Sequence, residues 1–185
     1  MSGSSSSAER FANTVAKVSQ TFFMDGSFSL ESDPSPNIEK VVHSHKVCNI
    51  LICNNQLRMI FKIHYNYLES ATILGYNDKI DKFERVDDFY LEVCNLVAGR
   101  LKLIFQESGY SLGISIPIKS DGFDELYFPM RFNDLVGEFC WDLKKNEQSI
   151  SMSVFVEVVE PKDFENFDQD TLDINSGEQD DIEFL

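Results

Sequence analysis

The sequence predicts an α+β domain in which helices pack on one face of a mostly antiparallel sheet. Segments with apolar residues every three to four positions, typical of helices, are mixed with β-branched and aromatic runs typical of strands. Most strand runs follow one another through short links, which favours antiparallel pairing. Apolar residues make up 43% of the 185 residues and 16 of them are Phe, which is enough for a buried core.

One folded domain between two tails is the expected organisation. Residues 1–7 form a Ser/Gly-rich tail that we expect to be disordered. Residues 8–160 carry the apolar patterns and are predicted to form the domain. Residues 161–185 contain nine acidic residues and one lysine, a composition that does not build a core by itself.

The first half of the domain is predicted to contain two helices and three strands. A helix capped by Ser6 or Ser7 runs to about Phe23, and a short edge strand follows within 27–30. Residues 41–53 and 57–65 form a hairpin, whose link contains Asn54-Asn55, a pair that tolerates the left-handed conformation. A short helix follows over 65–76, with Gly75 as its stop.

The second half is predicted to contain one long helix and four strands. Apolar positions between Val86 and Gln106 gather on one side of a helix wheel. Alternation over 112–118 predicts one half-buried strand, with Pro117 at an edge or a strand end. Strands at 126–132, 135–143 and 150–158 complete the sheet.

Charge and targeting signals exclude several classes of function. The net charge is -15, of which the residues after Glu160 contribute -8. An acidic protein is a poor ligand for nucleic acid or for an anionic membrane, since both select basic surfaces. The chain has no apolar run of membrane-spanning length and no basic leader, so we expect a soluble, cytoplasmic protein. The four cysteines form no CxxC pair and are expected to be reduced.

The outward face of the long helix is the candidate site. Asp88, Glu92, Asn95 and Gly99 follow at steps of four, three and four, so they stack in one line. Glu92 could pair with a cation and Asn95 could hold a water molecule. Gly99 leaves room for another backbone. Leu96 and Leu103, beside the line, could contact a visiting protein; alternatively, the line is the solvated face of an amphipathic helix.

Other motifs are weaker. His43 and His45 share one face of a strand, but no third ligand completes a zinc site, so we predict no metal site. The sequence lacks the glycine-rich phosphate loops and the GxSxG elbow of serine hydrolases.

The helix motif resembles that of a known family. Asp88-x3-Glu92-x2-Asn95, followed by Pro117 on the next strand, resembles the signature of the CheC/CheX/FliY phosphatases, which dephosphorylate the chemotaxis response regulator CheY. The similarity in element order covers roughly residues 8–160. CheC-type members usually carry two such motifs, whereas this chain carries one, so CheX is the closer relative.

The resemblance implies roles for the matching residues. Glu92 would engage the conserved lysine of a phosphorylated CheY-like regulator, and Asn95 would orient the water that attacks its aspartyl phosphate. Asp88 and Pro117 would support this pair, with Asp88 also bordering the partner. The regulator brings its own Mg²⁺, so no cofactor is expected on this chain. CheX-type proteins form homodimers, which we therefore expect.

The C-terminal residues 179–185 resemble the acidic, apolar peptide with which the flagellar switch protein FliM captures CheY. Within them, Ile182, Phe184 and Leu185 would contact the regulator, and residues 161–178 would act as a flexible tether. The alternative is an acidic solubilising tail.

A second class of function remains open on sequence alone. The same fold could serve as a non-catalytic module that docks a response regulator or a signalling assembly through the same helix face. Acceleration of regulator dephosphorylation, or its absence, separates the two.

Overall fold

The computed structural model describes residues 7–23, 28–31, 34–36, 44–122 and 136–159. Within these residues the chain forms three helices and eight strands. In chain order these are α1 (Ser7–Thr21), β1 (Ser29–Leu30), β2 (Ser35–Pro36), β3 (Lys46–Cys53), β4 (Leu57–Tyr65), α2 (Tyr67–Ile73), α3 (Lys82–Glu107), β5 (Gly113–Ile114), β6 (Ile118–Asp121), β7 (Val136–Lys145) and β8 (Gln148–Val158). The strand predicted at 126–132, residues 1–6 of the predicted N-terminal tail and the C-terminal tail lie outside the described residues.

The strands of the described residues form one sheet in which every pairing is antiparallel. Its order is β1-β7-β8-β4-β3-β5, with β2 also pairing with β7 and β6 also pairing with β3. The register aligns apolar side chains in rows across the four long strands; one row runs through Ile50, Phe61, Val154 and Phe139. Because paired residues project to the same side, these rows make one continuous apolar face.

Two long helices cover that face. α1 packs over β7 and β8, and α3 packs over β3. They run antiparallel, since Phe11 near the start of α1 lies 5.5 Å, ring to ring, from Phe105 near the end of α3. At the other end Phe23 lies 6.1 Å from Phe89. Each fully buried side chain of this type contributes about 1.5–3 kcal/mol. The predicted α+β class is thereby confirmed.

Local turn chemistry differs from the sequence prediction at the β3–β4 hairpin. Asn54 and Asn55 were predicted to use the left-handed conformation, but within the described residues the one positive φ outside glycine is at Asn146, in the β7–β8 turn (φ 56°). Asn54 instead closes the β3–β4 link with its side chain, since its Oδ1 accepts hydrogen bonds from the backbone N–H groups of Gln56 and Leu57, both at 2.8 Å. The hairpin itself is confirmed.

The edge strand after α3 is the clearest error of the sequence prediction. The single half-buried strand predicted over 112–118 is two short strands, β5 and β6, both paired with β3. Ile114 is opposite Ile52 and Ile118 is opposite Asn49. Between these two pairs the edge has three residues, 115–117, and β3 has two, 50 and 51, which defines a β-bulge. The extra residue reverses the alternation, and Ile114, Ile116 and Ile118 are all exposed.

Two smaller boundaries also moved. α3 begins at Lys82, four residues before the predicted Val86. The prediction began too late because the first turn of the helix carries no apolar stripe. Ser35–Pro36, where no strand was predicted, pairs with β7 as β2. No helix among the described residues is both long and apolar enough to cross a membrane.

Candidate functional site

The predicted line on α3 faces solvent. Asp88, Glu92 and Asn95 are exposed, and Gly99 is half-buried. Asn95 Nδ2 lies 3.4 Å from Glu92 Oε2, so the amide donates a long hydrogen bond to the carboxylate. The structure therefore brings a carboxylate and a carboxamide together on a rigid 26-residue helix. A pair of this kind can bind a cation and orient a water molecule at the same place.

The surroundings of the pair are open. A methyl group added at Gly99 would meet no atom of the described residues within 4 Å. Packing against the described part of the chain therefore does not require glycine at this position. Leu103, four residues further along, is 52% exposed. Leu96 is half-buried and is therefore less accessible to a partner than Leu103.

A buried ionic cluster beneath the line was not predicted. Asp87, only 5% exposed, accepts hydrogen bonds from the Tyr65 hydroxyl at 2.6 Å and from the Tyr67 hydroxyl at 3.0 Å. The Lys119 ammonium group donates to the same carboxylate at 2.5 Å. Asp87 thus ties α3 to the end of β4, to the start of α2 and to β6.

The electrostatics of this cluster follow from burial and from the shared carboxylate. Desolvation raises the pKa of Tyr65, and its hydrogen bond to Asp87 raises it further. The same two causes raise the pKa of Tyr67. The hydrogen bond to Asp87 raises the pKa of Lys119. Both phenols therefore remain neutral donors and Lys119 remains charged well into the alkaline range.

One sequence signal could have revealed the cluster. Asp87 is seven residues from Cys94 and four from Leu91, so all three share one side of the helix. Cys94 belongs to the core. A carboxylate on the apolar side of a helix must be paired or hydrogen-bonded when buried.

The remaining predicted site residues belong to the C-terminal segment. Ile182, Phe184 and Leu185 lie outside the described residues, as does His43. In the part of the chain that the structure describes, no group of three or more metal-ligating side chains lies together. The four cysteines, all within the described residues, form no disulfide; Cys48, Cys94 and Cys140 are buried and Cys53 is half-buried.

Comparison with known proteins identifies the fold. No protein-family model matches the sequence, and no curated protein does so either. Solved structures match clearly. The chemotaxis protein CheX from Vibrio vulnificus superposes with a TM-score of 0.61 at 16% identity, over 80% of this chain and 99% of that chain.

Two further structures agree. CheX from Borrelia burgdorferi, solved in a CheX–CheY–BeF3–Mg²⁺ complex, matches with a TM-score of 0.59 at 12% identity, over 82% of this chain and 97% of the other. A CheC-like protein from Shewanella sp. PV-4 gives 0.58 at 13% identity, over 80% and 97% of the two chains.

The chain therefore has the fold of the CheC-like class of chemotaxis proteins. Two of the structures above are CheX proteins from different organisms, and the match extends over 99% and 97% of their chains. The resemblance inferred from the Glu92–Asn95 motif is confirmed at the level of fold.

Proposed function

We propose that this protein is a phosphatase that accelerates hydrolysis of the aspartyl phosphate of a CheY-like response regulator. The observation that carries the proposal is the Glu92–Asn95 pair, exposed and in contact on one face of α3, in a fold shared with a CheX protein solved in complex with CheY.

In the proposed mechanism Glu92 binds the regulator through a lysine ammonium group of the receiver. Asn95 accepts and donates hydrogen bonds to one water molecule and aligns it with the phosphorus atom. The water oxygen bonds to phosphorus as the bond to the aspartyl oxygen breaks, which releases phosphate and restores the carboxylate. Positioning and electrostatics carry this chemistry, as in phosphoryl transfer generally.

The proposal extends to cofactor, assembly and location. Mg²⁺ belongs to the regulator in this mechanism, and this chain supplies no metal ligand of its own. Two copies associate as a homodimer, and the reaction takes place in the cytoplasm where receivers are phosphorylated. The direct experiment phosphorylates each CheY-like receiver of the source organism and follows its decay with and without this protein. A regulator that binds without faster decay would favour the non-catalytic docking module instead.

Replacing Gly99 by Ala should separate stability from function. Alanine is favoured over glycine in a helix by about 1 kcal/mol and meets none of the described atoms within 4 Å, so unfolding in urea should shift to higher concentration. If the regulator backbone approaches over Gly99, the same methyl group should raise KM several-fold. Lys102→Ala, on the same helix, is the control. An unchanged KM for the Gly99 variant would mean that the space above Gly99 is not used.

The acidic C-terminus is proposed to deliver the regulator. Deleting residues 179–185, which removes Ile182, Phe184 and Leu185, should raise KM and leave kcat at saturating regulator nearly unchanged, because a tether changes effective concentration and not chemistry. Replacing the three apolar residues by Ser, with the acids retained, is the matched variant. Equal KM values for all three proteins would identify the segment as a solubilising tail.

A further inference from the structure

The edge segment after α3 runs back along the helix in the opposite direction. Two contacts fix its alignment. At one end the backbone N–H of Tyr110 donates to the Phe105 carbonyl at 2.8 Å. At the other, Lys119 contacts Asp87. Between these anchors the helix rises about 27 Å, and an extended chain covers about 30 Å. Each residue of the edge segment is therefore level with about two residues of α3.

This alignment brings the bulge beside the candidate pair. Counting from Lys119, Pro117 is level with residue 91 and Ser115 with residue 95, so the bulge spans the height of Glu92 and Asn95. On the helix wheel Asn95 lies about 80° from Asp87 and Leu96 about 180° from it. The bulge therefore lies beside Asn95. Leu96 lies on the opposite side of the line, away from the bulge.

The bulge is held firmly but presents an apolar side chain to solvent. Ser115 exchanges hydrogen bonds with β3, since its N–H donates to the Leu51 carbonyl at 2.9 Å and its Oγ accepts from the Leu51 N–H at 3.1 Å. The next residue, Ile116, is 80% exposed, and Ile114 is 41% exposed. Clustered exposed apolar side chains beside a polar pair are typical of a surface that meets another protein.

The bulge also indicates which protein meets it. A second copy of this chain would most simply add a strand to the edge. β5 has only two residues and β6 four, the bulge interrupts the ladder between them, and Pro117 lacks an N–H. Short strands, bulges and proline are the features that prevent pairing between sheet edges. A globular partner that already contacts Glu92 and Asn95 is not limited in this way.

We propose that the bulge Ser115–Pro117 is the second wall of the regulator-binding surface, with Ile116 as its apolar contact and the Asp87–Lys119 ion pair as its anchor. The inference rests on the proposed function and adds the chemistry of the partner to it: a receiver domain with an apolar patch beside its phosphorylated aspartate. The homodimer then uses a different surface.

The test uses the full chain and the CheY-like receivers of the source organism. Affinity is measured for receivers loaded with beryllofluoride and Mg²⁺, and KM and kcat for phosphorylated receivers. Ile116→Ser should weaken affinity and raise KM about tenfold, the effect of losing one buried isoleucine contact, with kcat unchanged. Ile80→Ser is the matched control, because Ile80 is fully exposed in the loop before α3 and should change neither value.

Lys119→Met tests the anchor. It keeps the length of the side chain but releases the bulge from Asp87, so KM should rise in the same direction, and the double variant with Ile116→Ser should add little. Wild-type affinity and KM in the Ile116 variant would overturn the inference while leaving the phosphatase proposal intact. If the Ile116→Ser variant has the mass of a monomer where the wild type is a dimer, and its affinity for the receiver is unchanged, the bulge contacts a second copy of this chain. That result would also overturn the inference. If the wild type binds receivers without accelerating their decay, the affinity measurements still decide this inference and only the phosphatase proposal fails.

Discussion

Replacing Asn95 by Ala should lower the rate at which this protein accelerates regulator dephosphorylation by about 100-fold, a typical cost of removing one positioned donor in a transition state. Affinity for a beryllofluoride-loaded receiver should remain within about threefold, because the ordered water contributes little before the reaction. Asn95 is exposed and makes one long hydrogen bond, to Glu92, so its removal leaves the fold intact. Single-turnover decay of the phosphorylated receiver gives the rate.

The helix offers a matched control for this variant. Gln106 carries the same amide, is exposed and lies on the same face of α3, about three turns away. Gln106→Ala should therefore leave the rate unchanged. Glu92→Gln should behave differently from both, raising KM more than it lowers kcat, because it weakens an ion pair formed in binding. Equal rates for wild type and Asn95→Ala would remove Asn95 from the mechanism.

Long regular elements of the fold could be predicted from the sequence because local periodicity specifies them. α1, α3, the β3–β4 hairpin and β8 each present a side to the core at the helix or strand period, and the structure has all four. The Glu92–Asn95 line could be predicted for the same reason, because it lies on the side of the helix opposite the apolar stripe. Periodicity states which residues share a face, and that suffices for long amphipathic segments.

The edge strand shows where periodicity fails. Leu112, Ile114, Ile116 and Ile118 alternate perfectly in sequence, but alternation does not specify pairing. One extra residue between Ile114 and Ile118 changes the face of the strand, which brings Lys119 to the helix side. The bulge is stabilised by Ser115 and Leu51, which are distant in sequence. Such long-range contacts leave no local signal.

The buried Asp87 cluster is the second long-range feature, and its removal should have the largest effect on stability. Asp87→Ala removes the acceptor for Tyr65, Tyr67 and Lys119 at once. Breaking a buried ionic contact by removing one partner costs about 3–5 kcal/mol. Half of Lys119 is exposed and can return to water, so we expect about 3 kcal/mol, with most of the loss from the two phenols.

Urea unfolding of Asp87→Ala and Asp88→Ala provides the comparison. The two carboxylates are adjacent in sequence, but Asp88 is exposed, so its removal should change the free energy of unfolding by less than about 0.5 kcal/mol. A much larger loss of stability for Asp87→Ala than for Asp88→Ala would show that burial and the shared donors stabilise the fold. A negative charge in the N-terminal half of the helix would not by itself explain such a difference. Equal values for the two variants would contradict the cluster.

The Asp87 result also bears on the site, because the cluster joins α3 to β6, the strand that follows the edge bulge. Asp87→Asn keeps the shape of the side chain and can still accept from one tyrosine through its carbonyl oxygen, so it should cost less stability than Asp87→Ala. It nevertheless removes the charge that holds Lys119. If the ion pair positions the bulge beside Asn95, Asp87→Asn should raise KM for the regulator under conditions where the protein remains folded. Stability and KM would then report two separate consequences of one buried carboxylate.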